Sequence, residues 1–149
     1  MNRTVLPLPA AELIPHRQTM LLVDKLIAYD RSNGSGCVQA GAQAGSIFSD
    51  RDGKFFEEVV VLEMMAQAYA CLRGYEDRLA GCQPTLGFLV GVRHFNLQRR
   101  VELSEELTIE VATKIQVDDF FMADAAVMAA DKIAVAELKI WVPPAAAES

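Results

Sequence analysis

Val59-Val60-Val61-Leu62-Glu63-Met64-Met65-Ala66-Gln67-Ala68-Tyr69-Ala70-Cys71-Leu72 is the stretch whose reading decides the fold. Twelve of these fourteen residues are apolar or Tyr, which suits a helix buried on nearly every side rather than one lying on a surface. The two exceptions, Glu63 and Gln67, stand four apart and share one helical face, one turn from each other. Burying a lone carboxylate is costly unless it is paired or protonated. Glu63 is therefore expected either as a structural hydrogen-bonding group or as a group kept for chemistry. A desolvated setting would suit it to a general-acid role. Gln67 is expected to satisfy Glu63 or a nearby backbone group, or to orient a substrate. Met64 and Met65 read as adaptable core packing, with an acyl-tunnel lining as the alternative for one of them, and Cys71 as a small core residue.

Outward from this helix the chain reads in order. Glu57 and Glu58 fall in its expected first turn, with Asp52 as a possible cap, and Arg73-Gly74 marks its expected end. Upstream, Pro9 to Ile14 suits one or two helical turns stopped by Pro15. Met20 to Tyr29 is an expected strand. Asn33-Gly34 is a hairpin turn and Cys37 to Ala44 the return strand. Ser46 to Lys54 reads as a polar loop. Downstream, residues 86–93 and 107–115 alternate with a period of two. Phe120 to Ala130 and Ile133 to Val142 flank a tight turn at Ala130-Asp131-Lys132. Pro143 and Pro144 end the last strand, and residues 142–149 read as a flexible tail. No segment has the length of a parallel crossover, so the sheet is expected to be antiparallel. The sum is an α+β protein of one domain, 1–149, with a sheet curled around one long helix and a partner subunit covering the rest.

Composition narrows the function. With 52% apolar residues the chain can build a core, and a net charge of −6 argues against a nucleic-acid binder. The three cysteines, Cys37, Cys71 and Cys82, form no CxxC pair, so neither a disulfide framework nor a zinc site is read from them. The apolar segment is too short to span a bilayer. A soluble, cytoplasmic protein without a cofactor or metal is expected.

Four stretches then carry a family resemblance. Leu13-Ile-Pro-His-Arg17 followed by Met20-Leu-Leu-Val-Asp-Lys25 resembles the opening "LPHR…FLLVDR" of the 3-hydroxyacyl-(acyl-carrier-protein) dehydratases, which have the hot-dog fold. Leu62-Glu-Met-Met-Ala-Gln67 resembles their "EAMAQ" helix. Leu89-Val-Gly-Val92 with Leu97-Gln-Arg-Arg-Val101 resembles "FAGIDKARFKRPV", and Ala130 to Glu137 resembles the last hairpin, "DGKVVCEA". The likeness spans roughly residues 12–142. It is strongest to a divergent branch of dehydratase-like proteins encoded with aryl-polyene biosynthesis genes.

The resemblance implies an antiparallel sheet wrapped around the helix, paired as a double hot-dog dimer. It implies activity on acyl thioesters carried by acyl carrier protein or coenzyme A, in fatty-acid or polyene-type biosynthesis. Glu63 falls on the family's catalytic carboxylate, which acts on the 3-hydroxyl while a His removes the proton beside the thioester carbonyl. That His is absent here. Ser49 stands in its place, Asp50 follows where an aromatic is usual, and Glu57-Glu58 replaces the Pro-Gly that lets substrate approach the helix start. Of the histidines present, His16 is expected to fix the N-terminal segment against the helix and is also the candidate replacement base. His94 sits on a strand where the family has Lys. Gly91, with Gln67, is a candidate substrate-binding residue. Arg93, Arg99 and Arg100 are candidates for docking the acidic carrier protein or its phosphopantetheine phosphate, against a solvated strand end. Three functions follow: a dehydratase using Glu63, a hot-dog thioesterase using the same carboxylate, or a non-catalytic or half-site subunit of a heterodimeric dehydratase. The partners expected are a carrier protein and a second hot-dog chain, as a homodimer or heterodimer.

Overall fold

In the computed structural model, which describes residues 4–17, 20–41, 49 and 51–144, the apolar segment is the middle of one helix, α1, Glu58–Leu79. Seven strands form a single sheet: β1 Leu8–Pro9, β2 Val23–Asp30, β3 Ser35–Ala40, β4 Phe88–Leu97, β5 Leu107–Val117, β6 Phe120–Met128 and β7 Lys132–Trp141. Their order across the sheet is β1-β2-β3-β5-β6-β7-β4, and every pairing is antiparallel. This is the hot-dog arrangement that the resemblance implies. The two hairpins expected from Asn33-Gly34 and from Asp131 are both present, with Gly34 in the left-handed region at φ 61°. The end of the expected return strand at 42–44, residues 46–48 and 50 of the loop expected at 46–54, and the tail beyond residue 144 lie outside the described residues.

Period-two alternation supplies the core. Leu26, Val38, Ile109, Val111, Ala123, Ala125, Val127 and Leu138 point from the sheet toward α1 and are buried. From the helix, Val61, Met64, Met65, Ala68 and Leu72 meet them, each at most 1% exposed. The cover is one-sided. Val59 is 69% exposed, and Leu62, Ala66 and Ala70 are only partly buried. A helix apolar all round thus keeps an open stripe in the single chain, the stripe that carries Glu63.

Three expectations about helices are corrected, the first two in α1. It runs past Gly74 to Leu79 and closes on Ala80, so Gly74 is no C-cap. Gly74 is there because a Cβ would collide with the carbonyl oxygen of Leu13, where the N-terminal segment crosses α1. Close approach outweighs the roughly 1 kcal/mol that glycine costs inside a helix. At the other end Glu57 occupies the N-cap position without a side-chain cap, and Asp52 lies too far upstream to serve. The helical turns expected over Pro9 to Ile14 shorten to a 3₁₀ turn at Ala10–Glu12.

Candidate active site

The N-terminal segment is a strap tied to one side of α1. The Tyr75 hydroxyl donates to the carbonyl of Thr4, and Arg78 Nη2 donates to the carbonyl of Glu12 at 2.7 Å. Leu13 lies against Gly74. Gln67, 1% exposed, then holds the far end of the strap: its Oε1 accepts from the Leu22 amide at 2.8 Å, and its Nε2 donates to the Met20 carbonyl at 2.7 Å. Between these ties Arg17 Nη1 donates to the carbonyls of Ile14 and His16 at 2.8 and 2.7 Å, bending the chain around His16.

The bend places His16 against the helix carboxylate, with Nε2 3.8 Å from Glu63 Oε1. Gln67 Nε2 donates to the same oxygen at 3.1 Å, which fixes the carboxylate from the helix side. The Nδ1 of His16 is buried and has no hydrogen-bond partner among the described residues. The sequence placed Glu63 and Gln67 on one face; the strap adds an imidazole that sits 47 residues upstream of Glu63 and belongs to another part of the family pattern. The complete burial expected for Glu63 is not found in the single chain: its side chain is 37% exposed and that of His16 30%.

Both groups open into a narrow cavity of about 100 Å³ along the open stripe of α1. Ala66, Gln67, Ala70 and Arg73 continue its helix wall, while Leu89 and Ile140 face them from β4 and β7. One end is therefore an acid/base pair and the walls are mostly apolar, an arrangement able to move a proton onto or off a carbon chain held beside it. Arg73 was legible only as a marker of the helix end. The missed signal is its i, i+3 spacing from Ala70, which returns it to the same side as Glu63 and Ala66.

The remaining candidates are scattered. Met64 and Met65 are fully buried and do not line the cavity. Gly91 lies in β4 opposite Lys139 and is likewise outside the cavity of the single chain. Ser49, expected at the position of the family histidine, forms a bridge with Phe56. The three arginines do not form one free patch. Arg99 donates through Nε, Nη1 and Nη2 to Glu105 and Asp131, as close as 2.6 Å. These bonds raise the pKa of Arg99 and hold both carboxyls below the usual carboxylate range. Arg100 stacks over Phe55 at 4.3 Å, and Arg93, 67% exposed, stands 3.9 Å from Glu137.

His94 occupies a bulge of β4 at φ 55°, a strained conformation for a residue with a side chain. It borders a larger hollow of about 750 Å³. Strand alternation puts Glu110, Asp124 and Glu137 of that hollow on the face of the sheet away from α1, so it is separate from the Glu63 cavity. Its chief feature is the Lys114–Glu137 ion pair at 2.7 Å, whose hydrogen bond lowers the pKa of Glu137. Among the described residues no cluster of His, Cys, Asp and Glu could hold a metal, and no helix is long and apolar enough to cross a membrane.

Comparison with known proteins agrees with the fold. The ApeP-like family, described as ApeP dehydratase, matches residues 8–149. A 3-hydroxyacyl-(acyl-carrier-protein) dehydratase FabZ from Burkholderia cenocepacia is 29% identical over 101 residues, 66% of this chain. The match spans 65% of that protein's length. A chain of the dehydratase heterocomplex ApeI:P from Xenorhabdus doucetiae superposes with a TM-score of 0.81 at 23% identity, over 93% of both chains. An HP0420 homologue from Helicobacter felis superposes at 0.66 and 11% identity, over 88% of this chain and 96% of the other.

Proposed function

We propose that this chain, which belongs to the ApeP-like dehydratase family, takes part in dehydrating 3-hydroxyacyl thioesters, with Glu63 as the acid and His16 as the base. The observation that carries the reading is the 3.8 Å approach of His16 Nε2 to Glu63 Oε1 at the end of an apolar cavity. His16 removes the proton from the carbon next to the thioester carbonyl. The electron pair forms the double bond as the carbon–oxygen bond at C3 breaks, and Glu63 gives its proton to the departing hydroxyl, which leaves as water. The imidazolium then returns the proton to the carboxylate across the short gap, and the pair is reset. Gln67 keeps Glu63 in place by its hydrogen bond and does not itself react. The substrate is a thioester of acyl carrier protein or coenzyme A, with the exposed Arg93 as the residue offered to an acidic carrier.

The chain is read as one half of a two-subunit site. β4 is one edge of the sheet; Phe88 and Val90 on it are 45% and 51% exposed, and Leu86 just before it is 53% exposed. An unpaired apolar edge invites another strand. The same segment supplies Thr85, Gly87 and Leu89 to the cavity wall, so a related hot-dog subunit or a second copy docked there would close and dry the site. One similar solved structure is a dehydratase heterocomplex, which favours the related subunit. The test is steady-state hydration of an enoyl thioester, with thioester hydrolysis followed in parallel to separate a thioesterase. Glu63→Gln and His16→Asn are each expected to lower turnover at least about a hundredfold. Unchanged turnover in either variant removes that residue from the mechanism, and hydrolysis without hydration replaces the reaction class.

A further inference from the structure

The face of the sheet turned away from α1 carries an exposed apolar row. Opposed residues in an antiparallel sheet point to the same side. Val117 pairs with Phe120, Phe120 with Trp141, and Trp141 with Phe88, so one rung of β5, β6, β7 and β4 presents four large apolar side chains together. Their strand neighbours Phe121 and Ile140 point into the core and are buried, which fixes the row on the outer face. Val117, Phe120, Trp141 and Phe88 are 56%, 37%, 37% and 45% exposed. The rings of Phe88 and Trp141 lie against each other, with centroids 5.9 Å apart. Ile115, 52% exposed and paired with Met122, widens the row by a second rung. Single exposed apolar residues are ordinary, but a contiguous patch marks a surface that another molecule covers.

The charges around the row select its occupant. On one side, at the turn between β5 and β6, stand Asp118 and Asp119, both exposed. On the other side, two residues along β7 from Trp141, stands Lys139, whose ammonium lies 4.7 Å over the ring of Phe120. Among the described residues neither aspartate has a cationic partner, and Lys139 has no carboxylate partner. An acidic carrier protein or an anionic lipid surface would meet the two unpaired aspartates, a like-charge contact that opposes docking. A second copy of the same face meets its own complement. Rotation by 180° about an axis lying along the row lays row on row and carries the aspartates of each copy over the rung that holds Lys139 in the other. Sheets pack face to face in this manner about 10 Å apart, with strand directions within about 30° of each other.

We propose that this face is an interface between two copies of this chain, packed sheet on sheet about a two-fold axis that runs along Val117, Phe120, Trp141 and Phe88. It is separate from the β4 edge, where a hot-dog neighbour would add a strand. Val117 lies three strands inside that edge, about 14 Å away. An edge partner and a face partner are therefore held at the same time, and edge-joined units are joined in pairs through the face. The inference does not rest on the roles of His16 and Glu63, which lie on the helix side of the sheet.

The experiment measures particle mass by sedimentation equilibrium over a range of concentrations. The full chain is used, together with any partner subunit that purifies with it. Val117→Lys sets a charge in the row at an already exposed position. It is expected to halve the mass of the intact particle, weakening the association at least about tenfold. Lys139→Glu and Asp119→Lys are each expected to weaken it about fivefold, and the variant carrying both is expected to recover to within about threefold of the intact protein, as only a self-complementary face allows. Thermal unfolding is followed in parallel; should Val117→Lys lose its fold, the charge-swap set decides alone. An intact particle with the mass of the Val117→Lys variant overturns the proposal. So does a double swap no better than the weaker single one. Binding of the intact particle to phosphatidylglycerol vesicles or to an acyl carrier protein that Val117→Lys abolishes overturns it too, since the face then belongs to that ligand.

Discussion

Replacing Gln67 by Leu removes three hydrogen bonds with different consequences, and the structure ranks them. The Leu22 amide, in a residue 1% exposed, loses its acceptor at 2.8 Å and has no water to replace it. A buried donor left unsatisfied costs about 1–3 kcal/mol. Met20 is 53% exposed, so its carbonyl turns to solvent and adds little. Glu63 is 37% exposed on its side chain and is likewise rehydrated. The leucine recovers a fraction of this through apolar burial. The net is a loss of about 2 kcal/mol, or about 4–8 °C in melting temperature for a chain of this size. Urea unfolding measures the first quantity. Amide exchange locates it, because the Leu22 amide should pass from protected to fast-exchanging while amides inside β5 and β6 do not change. Gln67→Glu sharpens the argument. It keeps an acceptor for Leu22 but loses the donor to Met20 and Glu63 and sets acceptor against acceptor at both. That variant should be the less stable of the two. A Gln67→Leu loss below about 0.5 kcal/mol with Leu22 still protected would refute the clamp, and with it the account of how His16 is held.

Two further outcomes follow from the same geometry. Gly74→Ala forces a Cβ onto the Leu13 carbonyl oxygen and should cost about 1–3 kcal/mol despite alanine's better helix propensity; a stabilised variant would show that the strap does not cross there. The carboxyls of Glu105 and Asp131 lie below their ordinary range through hydrogen bonds from Arg99, and that of Glu137 through its bond from Lys114. Lowered pKa values in the folded state give stability that is present above the unfolded values, near 4, and is lost as pH falls through the folded ones. Unfolding free energy should therefore decline between pH 5 and pH 2, and Arg99→Met should flatten that decline, as measured by urea melts across the range.

Much of the fold was legible because it rests on local periodicity. The alternation in residues 107–115, the Asn33-Gly34 turn and the unbroken apolar run of α1 each name their own structure. What failed depended on distant contact. Gly74 reads as a helix stop by propensity, and only the Leu13 carbonyl, 61 residues away in sequence, explains it as an interior residue. The basic cluster of Arg93, Arg99 and Arg100 read equally as a docking patch or as a solvated strand end. The acids that occupy Arg99 come from Glu105 and from the β6–β7 turn at Asp131, and no local rule announces that convergence.

The site divides in the same way. Glu63 and Gln67 announce themselves as polar residues on an apolar helix. His16 carries no such signal, since its meaning depends on where a strap of irregular chain is tied. The physical content of the site lies in those ties: Arg78 to Glu12, Gly74 to Leu13, and Gln67 to Met20 and Leu22. Each is a contact between the strap and α1, so the helix that carries Glu63 also dictates the position of the imidazole. An imidazole stands beside the carboxylate because the strap crosses within 3.8 Å of Glu63. The same ties explain why Gln67 is amide and not acid. It must accept from Leu22 and donate to both Met20 and Glu63 at once, and of the twenty side chains only a carboxamide of this length does all three.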